Sequence, residues 1–116
     1  MKTTKKDKYL GTKTVKVRME KEYREAKNHI AVGEVLEENA QYLRMWCETY
    51  HFGKNRNKKD IITGGIKIRC FPWNRIAVIT ELPGDIEWEG AEFKLSEQGR
   101  LVLDDHRETS IDDEVD

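Results

Sequence analysis

The densest chemistry in this sequence is a short basic cluster. GKNRNKKD, residues 53 to 60, holds Lys54, Arg56, Lys58 and Lys59 and no apolar side chain. Cations packed this closely on a loop neutralise phosphates, because each ammonium or guanidinium that meets a phosphate releases a condensed counterion. Lys67, Arg69 and Arg75 extend the same positive stretch along the chain, and Tyr50, Tyr42, Trp46 and Trp73 offer aromatic faces on which bases stack. Lys54, Arg56, Lys58, Lys59, Lys67, Arg69, Arg75 and Tyr50 are therefore the candidate contacts for RNA or another single-stranded nucleic acid. The competing reading treats the aromatics as a second apolar layer, covered from the C-terminal side by Trp88 and Phe93. It is favoured for Trp46, since an aromatic interleaved with Arg44 and Glu48 is more often covered than displayed.

Catalytic chemistry finds little support. His29, His51 and His106 are scattered, and Cys47 and His51 sit four residues apart on one strand face, about 13 Å at a strand's rise. Gly64-Gly65 lacks the Lys-Ser/Thr and the helix that a phosphate-cradling loop requires. Carboxylates concentrate toward the termini. The expectation is a non-enzymatic protein with no catalytic residues and no small-molecule cofactor. Two cysteines without a CxxC pair argue against zinc, so no metal site is expected. Cys47 and Cys70 read as buried free thiols, with a disulfide left open if their strands are adjacent.

The elements that must carry these residues belong to one small domain. The chain has 116 residues, an apolar fraction of 37% and a charged fraction of 37%, with a net charge of −1. That balance hides a strong segregation. Residues 1 to 27 carry ten basic against four acidic side chains, and residues 54 to 75 carry seven against one. Residues 84 to 116 carry three against twelve. Two basic segments suit a polyanion, for which the acidic end would compete. No apolar run approaches the length of a membrane span, and the basic start lacks a following apolar segment, so a cytoplasmic protein without membrane contact is expected.

Val15 to Met19 alternates with period two, as a strand does. Residues 20 to 28 read as a polar helix turn or a strand extension. His29 to Leu36 and Gln41 to Phe52 read as two strands joined by a tight turn at Asn39, a residue that tolerates the positive φ such turns demand. Leu43, Met45, Cys47 and Thr49 form the core row of the second strand. Ile61 to Cys70 is a strand interrupted by two glycines, which mark a bend or a close backbone approach. Pro72 stops it, and Ile76 to Leu82 follows as the fifth strand. The expected layout is a flexible basic arm over 1–13, a β domain over 14–83, an extension over 84–103 packed on it, and an acidic disordered tail over 104–116. Leu101-Val102-Leu103 belongs to an extra hairpin or, alternatively, a short helix.

Gly33-Glu34-Val35-Leu36-Glu37-Glu38-Asn39-Ala40-Gln41-Tyr42-Leu43 resembles the first motif of Sm-like proteins, in which a glycine bends the second strand. Ile62-Thr63-Gly64-Gly65-Ile66-Lys67-Ile68 is distantly similar to the second. The resemblance spans residues 14 to 82 and implies a mainly β fold, a small five-stranded SH3-like (Sm-like) barrel. In that fold a 3₁₀ turn joins the last two strands, the place taken here by Pro72-Trp73-Asn74-Arg75, with Trp73 capping an open end. The family's uridine-binding Asp and Asn, and its Arg-Gly pair, have no counterparts here, where Tyr50-His51-Phe52 and Thr63-Gly64 stand instead. The functional expectation is a binding module that contacts nucleic acid through its basic loop. The alternative is a structural or protein-interaction subunit of a homo-oligomer with no nucleic-acid role, its acidic tail docking on a neighbour's basic loop.

Overall fold

The structure, a computed structural model, describes residues 13–21, 26–53, 60–105 and 107–112. Strands β1 (Thr14–Met19), β2 (Asn28–Glu38), β3 (Tyr42–Phe52), β4 (Ile62–Thr63), β5 (Lys67–Pro72) and β6 (Ile76–Glu81) form one antiparallel sheet. Its order is β4-β3-β2-β1-β6, and β5 pairs with β3 on the edge that also carries β4. A second, two-stranded sheet joins β7 (Phe93–Leu95) to β8 (Leu101–Leu103). The molecule is mainly β, as its alternating sequence requires. The main sheet has six strands where five were expected, and among the described residues no pairing joins β5 to β6 to close a barrel.

Strand periodicity places two apolar faces on one sheet. Val15, Val17 and Met19 of β1 meet Ala31 and Val35 of β2, Leu43, Met45 and Cys47 of β3, and Phe71 of β5 in one buried cluster. Ile30 and Val32 of β2 with Tyr50 and Phe52 of β3 face the other way, into a second cluster with Ile86, Trp88, Leu101, Leu103 and Ile111. Burial on both faces explains why Ile30 to Gly33 reads as a continuous buried run rather than an alternating one.

Two glycines are fixed by contact distance. Gly33 lies opposite both Val15 and Cys47, and a Cβ there would strike the Trp46 carbonyl and stand 2.6 Å from Cys47 Cα. A bulge follows between Val35 and Glu37, so β2 bends just beyond its closest approach to β3. A Cβ on Gly64 would strike Thr49 Oγ1, and Gly65 adopts φ +85°, the left-handed region that favours glycine. That pair divides the expected strand 61–70 into β4 and β5.

The turns use side-chain oxygens and a 3₁₀ corner. Asn39 Oδ1 accepts hydrogen bonds from the Gln41 and Tyr42 amides, both at 2.9 Å. Asn39 is not in the positive-φ region assumed from its sequence; it works as an Asx turn. Trp73 to Arg75 forms a 3₁₀ turn between β5 and β6. Trp73 packs against the first cluster while its Nε1–H donates to the Asn39 carbonyl at 2.7 Å, tying this corner to the hairpin turn.

The C-terminal unit covers the outer face. Leu101 to Leu103 is a hairpin strand and not a helix. The expectation of a disordered end is corrected for the described part of 104–112. Ile111 is fully buried, and its amide donates to the Leu101 carbonyl. Asp112 Oδ2 accepts from the Leu101 amide at 3.1 Å, and buried Lys16 of β1 donates Nζ to the Asp112 carbonyl at 3.2 Å. Backbone acceptors thus compensate the desolvated ammonium, without which burying it would be costly.

Gly33→Ala should destabilise the protein by more than about 3 kcal/mol, because the strand backbone opposite cannot yield. Gly53→Ala, where an added Cβ meets nothing within 4 Å, should change stability by less than about 0.5 kcal/mol. Urea denaturation of both variants checks the contrast; comparable losses would contradict the close-approach account.

Candidate functional site

The inward row of β3 continues past Cys47 and Thr49 to His51, and the inward row of β2 runs back from Gly33 and Ala31 to His29. The register sets these two histidines directly opposite one another. Their rings stack with centroids 4.0 Å apart and planes 26° from parallel. Phe71 of β5 presents an edge to His29 at 6.4 Å. The imidazoles therefore form the end layer of the first apolar cluster, with carbon packing below them and a cleft beside them.

That cleft encloses about 670 Å³ between the end of β1, the start of β2, β5 and the 3₁₀ turn. Lys21, Lys27 and Arg75 line it with the two histidines, and Phe71 and Pro72 supply apolar wall. Glu20 is the one carboxylate among the described lining residues, and the Glu20 amide donates to the Arg75 carbonyl at 2.7 Å, fixing the 3₁₀ turn against the end of β1. Lys21, Lys27 and Arg75 are exposed, whereas the two imidazoles are half-buried.

The electrostatics follow from this crowding. Burial, then His51, Arg69 and Arg75, lower His29 from an ordinary 6.5 to about 4. Burial, Lys27 and Arg69 lower His51 as well. Both rings are neutral near pH 7, surrounded by permanent cations. Such surroundings repel a metal ion and attract an anion. Among the described residues no group of three or more His, Cys, Asp or Glu is placed to hold a metal.

The residues expected to bind nucleic acid separate into three sets. Lys54, Arg56, Lys58 and Lys59 lie outside the described residues. Lys67 and Arg75 are exposed, Arg75 on the cleft itself. Arg69 turns inward instead: its Nη2 donates to the Gly64 and Gly65 carbonyls at 3.0 and 3.2 Å. Its Nε–H is buried and meets no acceptor among the described residues. Tyr50 is corrected outright. It is 2% exposed, edge-on to Phe93 at 6.0 Å in the second cluster, and cannot stack on a base. Trp46 is half-buried against the same cluster and donates Nε1–H to Glu89 at 2.6 Å, in line with the covered reading.

The thiols also divide. Cys47 is buried and Cys70 is exposed, which corrects the expectation that both are buried. Although β3 and β5 are neighbours, the register sets Cys70 opposite Arg44 and Cys47 opposite Lys67, so both thiols are free. Burial pushes the Cys47 thiol up to about 11, a poor nucleophile at neutral pH.

Across the molecule, a smaller hollow of about 390 Å³ has the opposite sign, lined by Glu34, Glu87 and Glu89 beside Trp88. His29, His51, Lys21 and Lys27 are the cleft residues that motif reasoning passed over. The hairpin register held a signal for the pair, since His29 and His51 straddle Ala40 symmetrically. No family model, curated protein or solved structure matches this chain.

The His29 shift makes stability depend on pH. Between about 6.5 and about 4 the unfolded chain binds more protons at this residue than the folded chain, so stability is complete above that window and declines as pH falls through it. Discounted for solvent screening, the effect amounts to about 1–2 kcal/mol. His29→Gln should flatten this part of the stability profile, as measured by urea unfolding at a series of pH values. An unchanged slope would reject the assignment.

Proposed function

We propose that this chain is a non-enzymatic small β-barrel module of the SH3-like class that binds single-stranded nucleic acid, RNA foremost, through its basic end. The observation that carries the binding reading is the cleft around Arg75, Lys21 and Lys27, where cations converge on an apolar floor with a single carboxylate among the described lining residues. Phosphates need the cations, and bases or sugars can rest on Phe71 and Pro72. In sequence, the basic stretch Lys54 to Lys59 begins three residues after His51.

The strand order supports the barrel part of the reading. β5 leads through a 3₁₀ turn into β6, which returns to pair with β1, while β5 pairs with β3 at the other side of the sheet. The bulge between Val35 and Glu37 bends β2 just after Gly33, which supports the Sm-like reading. Two free thiols suit a reducing compartment, and a cytoplasmic location belongs to the same reading. No helix among the described residues is long and apolar enough to cross a membrane.

A second reading, a homo-oligomer built edge to edge, is favoured by Ile68 on β5 and Val78 on β6. Both are exposed aliphatics, on strands that have a single paired neighbour among the described residues. Light scattering addresses it: a monomer at high protein concentration would remove it.

Fluorescence anisotropy with a short labelled oligoribonucleotide tests the binding reading. Binding should weaken steeply as salt rises, and Arg75→Glu should lower affinity roughly tenfold. Arg100→Glu, the same change of charge on the exposed C-terminal hairpin, should cost less than about twofold. Absence of binding at low salt, or equal losses in the two variants, would refute the reading.

A further inference from the structure

The cleft contains more than permanent charge. Its deepest polar groups are two imidazoles held face to face, 4.0 Å apart, on adjacent strands whose register leaves neither free to slide. Every element around them contributes a titratable or charged group. Glu20 and Lys21 follow β1, and Lys27 precedes β2; Arg69 and Cys70 come from β5 and Arg75 from the 3₁₀ turn. Of these Glu20 alone is a carboxylate. Burial penalises the charged form of both rings, and protonating either would add a positive charge next to Arg69 and its stacked partner, so both stay uncharged. An anion at the rings reverses that balance. It screens the guanidinium and ammonium groups and gives an N–H of each imidazolium a charged acceptor.

We propose that the His29–His51 cleft seats one phosphate group and takes up protons on the imidazoles as it does so. The proposal deepens the nucleic-acid reading by naming the chemical group that enters the cleft, and rests on that reading only for the phosphate's source. A terminal phosphomonoester and an internal phosphodiester share the chemistry. Arg75 and Lys27 supply the fixed attraction at the rim, Phe71 supports His29 from below, and the histidines add charge when the phosphate is present. Sites built only of Arg and Lys lack this last property: their attraction hardly varies with pH near neutrality. By linkage, proton uptake on binding means that affinity rises as pH falls, by the same factor by which the anion strengthens protonation.

The test is read on the wild-type protein and needs no variant to fold. NMR titration of the imidazole signals should give a His29 midpoint near 4 in the absence of added anion. With saturating inorganic phosphate or sulfate it should rise by about one unit or more, a roughly tenfold gain in proton affinity. Sulfate stays a dianion throughout the window, so a rise with sulfate belongs to the imidazoles and not to the anion's own ionisation. Labelled oligoribonucleotides with a 5′-phosphate and with a 5′-hydroxyl, titrated at about pH 7.5 and about pH 4.5, should bind tighter at the lower pH, by roughly threefold or more. Preference for the phosphorylated end identifies the monoester, and equal affinity identifies the diester. His29→Gln should weaken the pH dependence, and His29→Gln combined with His51→Gln should abolish it, while the salt dependence stays in place.

Unmoved histidine midpoints at saturating anion would overturn the proposal. If oligonucleotides still bound and Arg75→Glu still weakened them, the binding reading would survive that failure. Conversely, midpoints that rise with phosphate or sulfate in a protein that binds no oligonucleotide would sustain the phosphate site and remove nucleic acid as its source.

Discussion

The close approach of β2 to β3 at Gly33 is the constraint on which the remaining structure depends. With no side chain there, the β2 backbone passes within contact of Trp46 and Cys47, and the bulge at Val35 to Glu37 turns the strand immediately afterwards. The bend lets two long strands of 11 residues each serve both clusters. Their inward rows close over Val15, Val17 and Met19, and their outward rows meet the C-terminal unit. The same pairing carries the register out to the far ends of both strands, where it fixes His29 against His51. A backbone contact near the middle of the sheet thereby decides the geometry of a site about four residues away.

Parity then assigns each residue of β3 its fate. Tyr50 and His51 are neighbours in sequence, yet the outward residue is sealed beneath Phe93 and the inward one opens onto a basic cleft. Tyr50 attracts attention because aromatic rings stack on bases, but a ring at that parity is apolar payload for the second cluster. His51 appears unremarkable alone and gains its chemistry from His29 across the ladder. Arg69 belongs to the same pattern. It shares the inward face with Phe71, and at that depth its guanidinium serves the carbonyls left by the Gly64-Gly65 bend.

Short-range signals were the legible ones. Alternation in Val15 to Met19 and Leu43 to Thr49, the strand-splitting glycines, the Pro72 corner and the hairpin at Asn39 all follow from local backbone chemistry, and each lies where the sequence places it. The fate of the acidic end was not legible, because composition reports solvation and not docking. Ile111 is one aliphatic residue in an acidic stretch, and nothing local reveals that it fills a slot beside Leu101 and Leu103. Nor does Lys16 disclose that it is buried under that stretch. The cleft was half-legible. Its cations stood out as charge, while its histidines required a register accurate to one residue at eleven positions either side of Ala40.

The docked acidic end bears on why the charges are segregated at all. A free acidic tail would compete for any basic surface, its own or a neighbour's. Here the buried Asp112 carboxylate accepts from the Leu101 amide, the Asp112 backbone carbonyl accepts from Lys16 Nζ, and Arg107 pairs with Asp85 at 2.8 Å on the same unit. The Asp112 and Asp85 carboxylates are thereby engaged within the C-terminal unit. The basic cleft then has to keep its own cations from destabilising the end of the core. Lysine at position 29 or 51 would place a permanent charge beside Arg69 in a half-desolvated layer, at a cost that backbone acceptors there do not offset. Leucine would pack well and carry no charge to an anion. Imidazole meets both conditions, uncharged when it closes the core and a donor when a partner brings negative charge. A stacked imidazole pair at the mouth of the inward row therefore suits the proposed phosphate site, closing the core uncharged and able to gain charge beside an anion.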